Sequence, residues 1–473
     1  MVRDNSYDAV MGRKDEIITN ATKINYGDYE TGKLSFDYER MMKDTGFSLQ
    51  DIIRIQRNVG VGNTPLLELR NLTKLVRKIS PKGKGARIFV KDEQCNPSGS
   101  FKDRRASMSA YIAKKLGYKG VVAATSGNYG AAVASQAAIR NLDCIIVQEC
   151  YDSRKVGQPE ILEKQRKCEC LGAEVVQLTV GPELFYEFLK ALEETNFFNA
   201  SLYSPYGIAG VESLGYEIAM QCRDMIGKEP EVVMVTNAGG GNLTGTARGL
   251  IKAGAVDTKV YGASVDLSGL HMASDIDFNR KAFTTGHTGF GVPYLTDPDH
   301  SDVPRSAARA LRYMDQYQLV KQGEVFFITE ALAELEGMER GPAGNTSLTA
   351  AFALAREMDE DQIIVVQETE YTGAGKHPLA QLSFARQNGI EVKFGNPEEE
   401  VPGKNIILPE HPSMIKSRHF DMDKLRHSYI KNAVRKANTK EIEKLDLEFL
   451  VKETKSNVEF VEGVLKELGV TVK

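Results

Sequence analysis

Lys102 stands in the stretch NPSGSFKDRR, where a turn runs into a helix and three cations, Lys102, Arg104 and Arg105, crowd the helix start. Unpaired N–H groups already make a helix N-terminus positive, so cations are disfavoured there. With Ser100 as the cap, Lys102 falls in the first turn, and the dipole favours its free amine, the form that attacks an aldehyde. A surface lysine on a charged helix start is the competing reading. The second stretch is NAGGGNLTG, residues 237–245, directly after an apolar run. Three consecutive glycines let backbone N–H groups at a helix start gather around an anion, and phosphate is the natural guest. The dinucleotide pattern fits only in part, because Thr244 stands where its third glycine should be, and no Walker lysine follows. The third stretch, TSGNYG at 125–130, offers Thr125, Ser126 and Asn128 beside another helix start, which suits a carboxylate. A capped tight turn would use the same residues.

These loops need a framework. From Val61 onward, short apolar runs (86–93, 120–126, 144–149, 174–180, 231–237, 259–266 and 362–370) alternate with amphipathic segments. That alternation predicts an α/β fold with parallel sheets covered on both faces, whose ligands sit at the carboxyl ends of strands. The expected organisation has four parts. Residues 1–60 form a helical N-terminal extension, with Ser48 and Asp51 written as a capping box. Residues 61–105 and 216–400 form a larger α/β domain, residues 106–215 a smaller one, and residues 401–473 a Pro-rich connector and helical tail.

Composition narrows the function classes. Hydrophobic content of 42% and charged content of 26% are those of a globular protein, and a net charge of −4 gives no reason to expect nucleic acid or an anionic membrane. The N-terminal residues carry scattered charges and no apolar h-region, and no run is long enough to span a bilayer, so a cytoplasmic location is expected. Six scattered cysteines without CxxC spacing predict reduced thiols and no metal site.

A reactive lysine, a phosphate nest and a carboxylate-binding turn on one α/β framework describe pyridoxal phosphate joined to an amino acid. GNTPL (62–66), NPSGSFKDR, TSGNYG and GGGNL resemble, in order and spacing, the fold-type II pyridoxal-phosphate enzymes, the group of threonine synthase, the threonine dehydratases and cysteine synthase. The resemblance implies two parallel-sheet α/β subdomains with the cofactor between them. Lys102 would hold the cofactor aldehyde covalently, Asn128 its phenolic oxygen, and Gly239, Gly240, Gly241, Asn242 and Leu243 its phosphate. Thr125 and Ser126 would receive the substrate carboxylate. YTGAGK (371–376) resembles an element of threonine synthase that makes Thr372 the partner of the pyridine nitrogen, with Thr369 the lesser candidate.

The same comparison departs at SPYGIAGVESLGYEI (204–218), where Gly207, Val211 and Glu212 replace the cationic positions expected for a phosphorylated substrate. A hydroxy amino acid dehydratase or a β-replacement enzyme stays open at this point, as does a non-catalytic subunit. The chain from extension to tail, including GVGNTPLLELRNLTKLVRK, SVDLSGLHMASD and ERGPAGNTSLTAAFALA, more closely resembles the family of 2-amino-4-oxopentanoate thiolase β subunits. That resemblance implies coenzyme A-dependent cleavage to acetyl-CoA and D-alanine in ornithine degradation, a small α subunit as partner, and a β–β dimer. His287, in GHTGFG, would polarise the substrate ketone or cover the site. His271 reads as structural, and Cys95 as a packing residue because the attacking sulfur belongs to coenzyme A.

Overall fold

The structure is a computed structural model that describes residues 3–473 except 126, 153, 201–202, 268–281, 285–291, 369 and 371–377. Ser126, His271, His287, Thr369 and Thr372 therefore lie outside the described residues.

Two sheets carry the chemistry-bearing loops. The larger contains β1 (Leu66–Glu68), β2 (Arg87–Asp92), β7 (Val232–Thr236), β8 (Lys259–Val265), β9 (Gln316–Val320) and β10 (Ile363–Glu368). The smaller contains β3 (Gly120–Thr125), β4 (Asp143–Tyr151), β5 (Glu174–Thr179) and β6 (Phe198–Asn199). Strand order is β1-β2-β10-β7-β8-β9 in the first and β5-β4-β3-β6 in the second, all parallel except β1 against β2. The expected α/β class with parallel sheets is what the chain adopts. β3 and β10 are buried at every residue, as strands covered on both faces must be, whereas β5 at its sheet edge is half-exposed.

Because β2, β10 and β7 are parallel neighbours, their carboxyl ends share one edge of the sheet, with Glu368 of β10 in register with Asp92 of β2. The Lys102 stretch follows β2 and the glycine stretch follows β7. Long-range folding thus brings together segments 140 residues apart in the way such sheets present ligand loops.

Four helices hold these loops: the lysine helix (Lys102–Lys115), the Asn128 helix (Asn128–Ile139), the long helix (Pro205–Ile226) and the glycine-loop helix (Gly241–Lys252). The long helix is the hub, and small residues let it approach its neighbours. A Cβ on Gly215 would stand 1.9 Å from the Thr246 carbonyl oxygen, one on Gly249 2.0 Å from that of Glu212, and one on Gly210 2.1 Å from that of Arg104. The lysine helix and the glycine-loop helix are thereby locked to one common element.

Candidate active site

The lysine helix begins as a negotiated arrangement of charge. Its formal N-cap is Phe101, whose side chain does not cap, in place of the Ser100 cap expected from sequence; Ser100 Oγ still accepts from the Lys102 N–H at 3.3 Å. Asp103 is fully buried and accepts from the Ser98 N–H at 2.7 Å, the Ser98 hydroxyl at 2.5 Å and Gln136 Nε2 at 3.1 Å. Those bonds bend the NPSGS turn over the helix start and tie it to the Asn128 helix. Burial pushes the Asp103 carboxyl up to about 6, partly offset by the Ser98 and Gln136 bonds.

Arg104 is fully buried yet compensated. Its guanidinium bonds both oxygens of Glu93, at 2.7 and 2.8 Å, and both oxygens of Glu217, at 3.0 and 2.8 Å. Lys91 joins Glu217 at 2.8 Å, and the Thr64 hydroxyl donates to Glu93 at 2.6 Å. Burial alone would raise Glu217, but Arg104 and Lys91 hold its carboxyl far below the usual range. The GNTPL turn belongs to this network: the Asn63 N–H donates to Glu217 at 2.9 Å and the Gly62 N–H to Asn96 at 2.9 Å. Its role is to fix the β2 loop against the long helix.

The glycine stretch opens a helix, as its position after β7 predicts. Gly240 takes φ +81°, a conformation suited to glycine, and caps the glycine-loop helix. The N–H groups of Gly239 through Leu243 have no acceptor among the described residues. The Asn242 side chain, 4% exposed, has neither amide atom bonded. Such a cluster of open donors at a helix start has the chemistry to receive an anion. Gly239 is required by contact as well: its Cβ would lie 1.8 Å from the Tyr203 hydroxyl.

At the third stretch, Asn128 opens its helix with a buried side chain. Thr125 Oγ1 accepts from the N–H groups of Gly127 at 3.0 Å and Gly130 at 3.2 Å, so this hydroxyl is engaged in shaping the turn. Gly207, Val211 and Glu212 are absorbed by structure. The Gly207 N–H donates to its cap Ser204, Val211 packs on Gly245, and Glu212 pairs with Arg248 at 2.7 Å. Cys95 lies 3.6 Å from Asp92, and partial desolvation together with that carboxylate raises its thiol, which disfavours a nucleophilic thiolate. Among the described residues no group of side chains could hold a metal ion, and no helix is long and apolar enough to cross a membrane.

Sequence reasoning passed over Asp103, Tyr203 and Arg105 as individual site residues. The doubled arginine was the available signal: two neighbours on a helix point about 100° apart, so both could not use one set of partners.

Comparison with known proteins gives a consistent picture. The sequence profile described as pyridoxal-phosphate dependent enzyme matches residues 58–370. The chain is 67% identical, over 99% of its own length and 100% of the relative's, to the 2-amino-4-ketopentanoate thiolase beta subunit of Acetoanaerobium sticklandii. It is 64% identical, over 99% and 100%, to a protein of the same name from an unknown prokaryotic organism. Among solved structures it is similar to the K43A mutant of O-ureido-L-serine synthase, with a TM-score of 0.52 and 19% identity over 71% of this chain and 94% of that one, a likeness of fold.

Proposed function

The chain belongs to the family of pyridoxal-phosphate dependent enzymes, and from that premise we propose that it is the β subunit of a thiolase that cleaves 2-amino-4-oxopentanoate with coenzyme A. The products are acetyl-CoA and alanine. The observation that carries this reading is similarity running end to end, through the segments before residue 58 and after residue 370 that lie beyond the general family match.

The residues present fit pyridoxal phosphate. The open N–H groups of Gly239–Leu243 and the unbonded Asn242 amide offer donors suited to its phosphate, at the carboxyl edge shared by the Lys102 loop. Lys102 would hold the aldehyde, and Asn128 would orient the ring through its phenolic oxygen. Thr372 remains the proposed partner of the ring nitrogen. When bound, the cofactor supplies an electron sink conjugated to the substrate amino carbon.

Lys102, once free, is the base that would take and return the proton at the substrate Cα. The turn held by Asp103 and Ser98 fixes where that amine enters. Cleavage breaks the C3–C4 bond: the acetyl carbon bonds to the coenzyme A sulfur, and C3 gains a proton to become the alanine methyl. The side chain at 125 orders the turn that would receive the carboxylate, with Ser126 a proposed donor to it. His287 is the proposed group at the ketone. An α subunit, implied by the relatives' designation as beta subunits, would complete the coenzyme A site.

Mixing the protein with and without its α partner, 2-amino-4-oxopentanoate and coenzyme A tests this directly. Acetyl-CoA should form only in the complete mixture, and Lys102→Ala should lower the rate roughly 1,000-fold or more while also abolishing the visible absorbance of the covalently held cofactor, as loss of both a covalent anchor and a general base implies. Keto acid formed from serine or threonine without coenzyme A would assign the chain to the dehydratases instead.

A further inference from the structure

Arg104 and Arg105 are neighbours on one helix with opposite circumstances. Arg104 has two carboxylates; Arg105, only 4% exposed, has no hydrogen bond and no ion pair among the described residues, and its Nε is buried without a partner. Its surroundings are the Phe101 ring, 5.2 Å from the guanidinium carbon, and the phenols Tyr203 and Tyr129. Asp302 acts on it only through space. Burial pulls the Arg105 pKa down from the usual guanidinium value, although arginine remains protonated in proteins. A buried cation at a helix start, with the dipole against it, is an expensive arrangement unless an anion belongs there.

The geometry supplies the place. A Cβ built on Gly241 would lie 2.5 Å from Arg105 Nη2 and 2.9 Å from its guanidinium carbon, so the planar head rests directly against the glycine loop. The Tyr203 hydroxyl abuts Gly239 on the same loop. Two independent features thus converge on one spot: open N–H groups of a twelve-residue helix start and an uncompensated guanidinium delivered by the Lys102 helix.

We propose that Arg105 is a ligand of the cofactor phosphate, giving the dianion a side-chain counter-charge in addition to the backbone nest. The assignment rests on the pyridoxal-phosphate reading and deepens it. It makes the first turn of the lysine helix bifunctional: Lys102 takes the aldehyde end of the cofactor and Arg105, three residues on and so on the same face, its phosphate end. A small, enclosed anion is required, because the guanidinium is sealed from solvent.

The test compares pyridoxal phosphate with pyridoxal, which lacks the phosphate, by titrating apoprotein and following cofactor absorbance and protein fluorescence. Inorganic phosphate binding is measured in parallel by phosphorus NMR. In the parent protein the phosphorylated form should bind far more tightly. Arg105→Met should weaken pyridoxal phosphate roughly 10- to 100-fold, the range for a lost charge-assisted bond, with little change for pyridoxal. It should also weaken inorganic phosphate and raise the melting temperature of the apoprotein, since an unpaired buried charge has gone. Arg105→Lys should recover part of the preference, and Arg105→Gln replaces the methionine variant if that does not fold. A preference for the phosphorylated form that survives loss of the guanidinium overturns the proposal while leaving the cofactor reading intact. Absence of any preference in the parent overturns both.

Discussion

The buried carboxylate that follows Lys102 in the chain has a consequence for pH. Asp103 has an ordinary value near 3.8 and is pushed up to about 6 in the fold, so the native state holds its proton more tightly than the unfolded chain does. Stability from this group is therefore full below about pH 4 and is lost as pH rises through about 6. The difference is on the order of 3 kcal/mol. Urea unfolding of the parent and Asp103→Asn at several pH values should show the parent losing that amount relative to the variant between pH 4 and 7; parallel curves would contradict it. At this scale local structure was legible where residue type and spacing are unusual, as in the helix starts at Lys102 and the three glycines. It was not legible for Asp103, because an acidic residue in a first turn is the ordinary expectation and only burial makes this one exceptional. Thr125, proposed to receive the substrate carboxylate, also accepts from the Gly127 and Gly130 N–H groups, the use that a capped turn makes of it.

Between elements, rigidity of the site depends on how closely helices can approach. The long helix meets the glycine-loop helix through Gly215 and Gly249, with carbonyl oxygens of the opposing backbone where Cβ atoms would be. Backbone cannot rotate away as a side chain can, so Gly249→Ala must separate the helices. The expected cost is about 3 kcal/mol, with cofactor affinity falling in step because the displaced helix carries the proposed phosphate nest. Denaturation midpoints and a cofactor titration on the same variant check both; loss of stability with unchanged affinity would show that the helices move without the loop. Strands were readable where they are continuously apolar, as in IIVVQE of β10, because burial on both faces leaves no room for polar alternation. QYQLV of β9 and the two residues of β6 went unread: the first mixes polar with apolar residues, and the second is too short for any period. Gly245 and Gly249, four apart in GTARG, held a readable sign of close helix packing that the chemistry of the preceding glycines obscured.

The whole molecule is closed by its two ends. The N-terminal segment reaches inward through Gln56, whose amide donates to the Arg104 carbonyl at 3.0 Å and the Gly210 carbonyl at 2.7 Å, and accepts from Ser213 at 2.6 Å. One residue of the extension therefore joins the lysine helix to the long helix. The tail engages the extension in turn, Asp446 accepting from the N–H groups of Leu34 at 2.9 Å and Ser35 at 3.0 Å, and it engages the α/β body through Glu453, which accepts from Arg309 at 2.6 Å. The N-terminal segment thus packs on the α/β body and on the tail. Asp446 is one joint between segments more than 400 residues apart, beside the Lys33 bonds to Thr439 and Glu441 and the Phe36–Phe449 ring contact, and its loss should loosen both segments together. Asp446→Ala leaves two buried N–H groups without acceptors, a cost of about 2 kcal/mol. Limited proteolysis should then cut near residues 30–37 and within 440–456 at matched rates, each faster than in the parent. Acceleration at one end alone would mean that extension and tail hold to the body independently, and that the site's rigidity owes nothing to their contact.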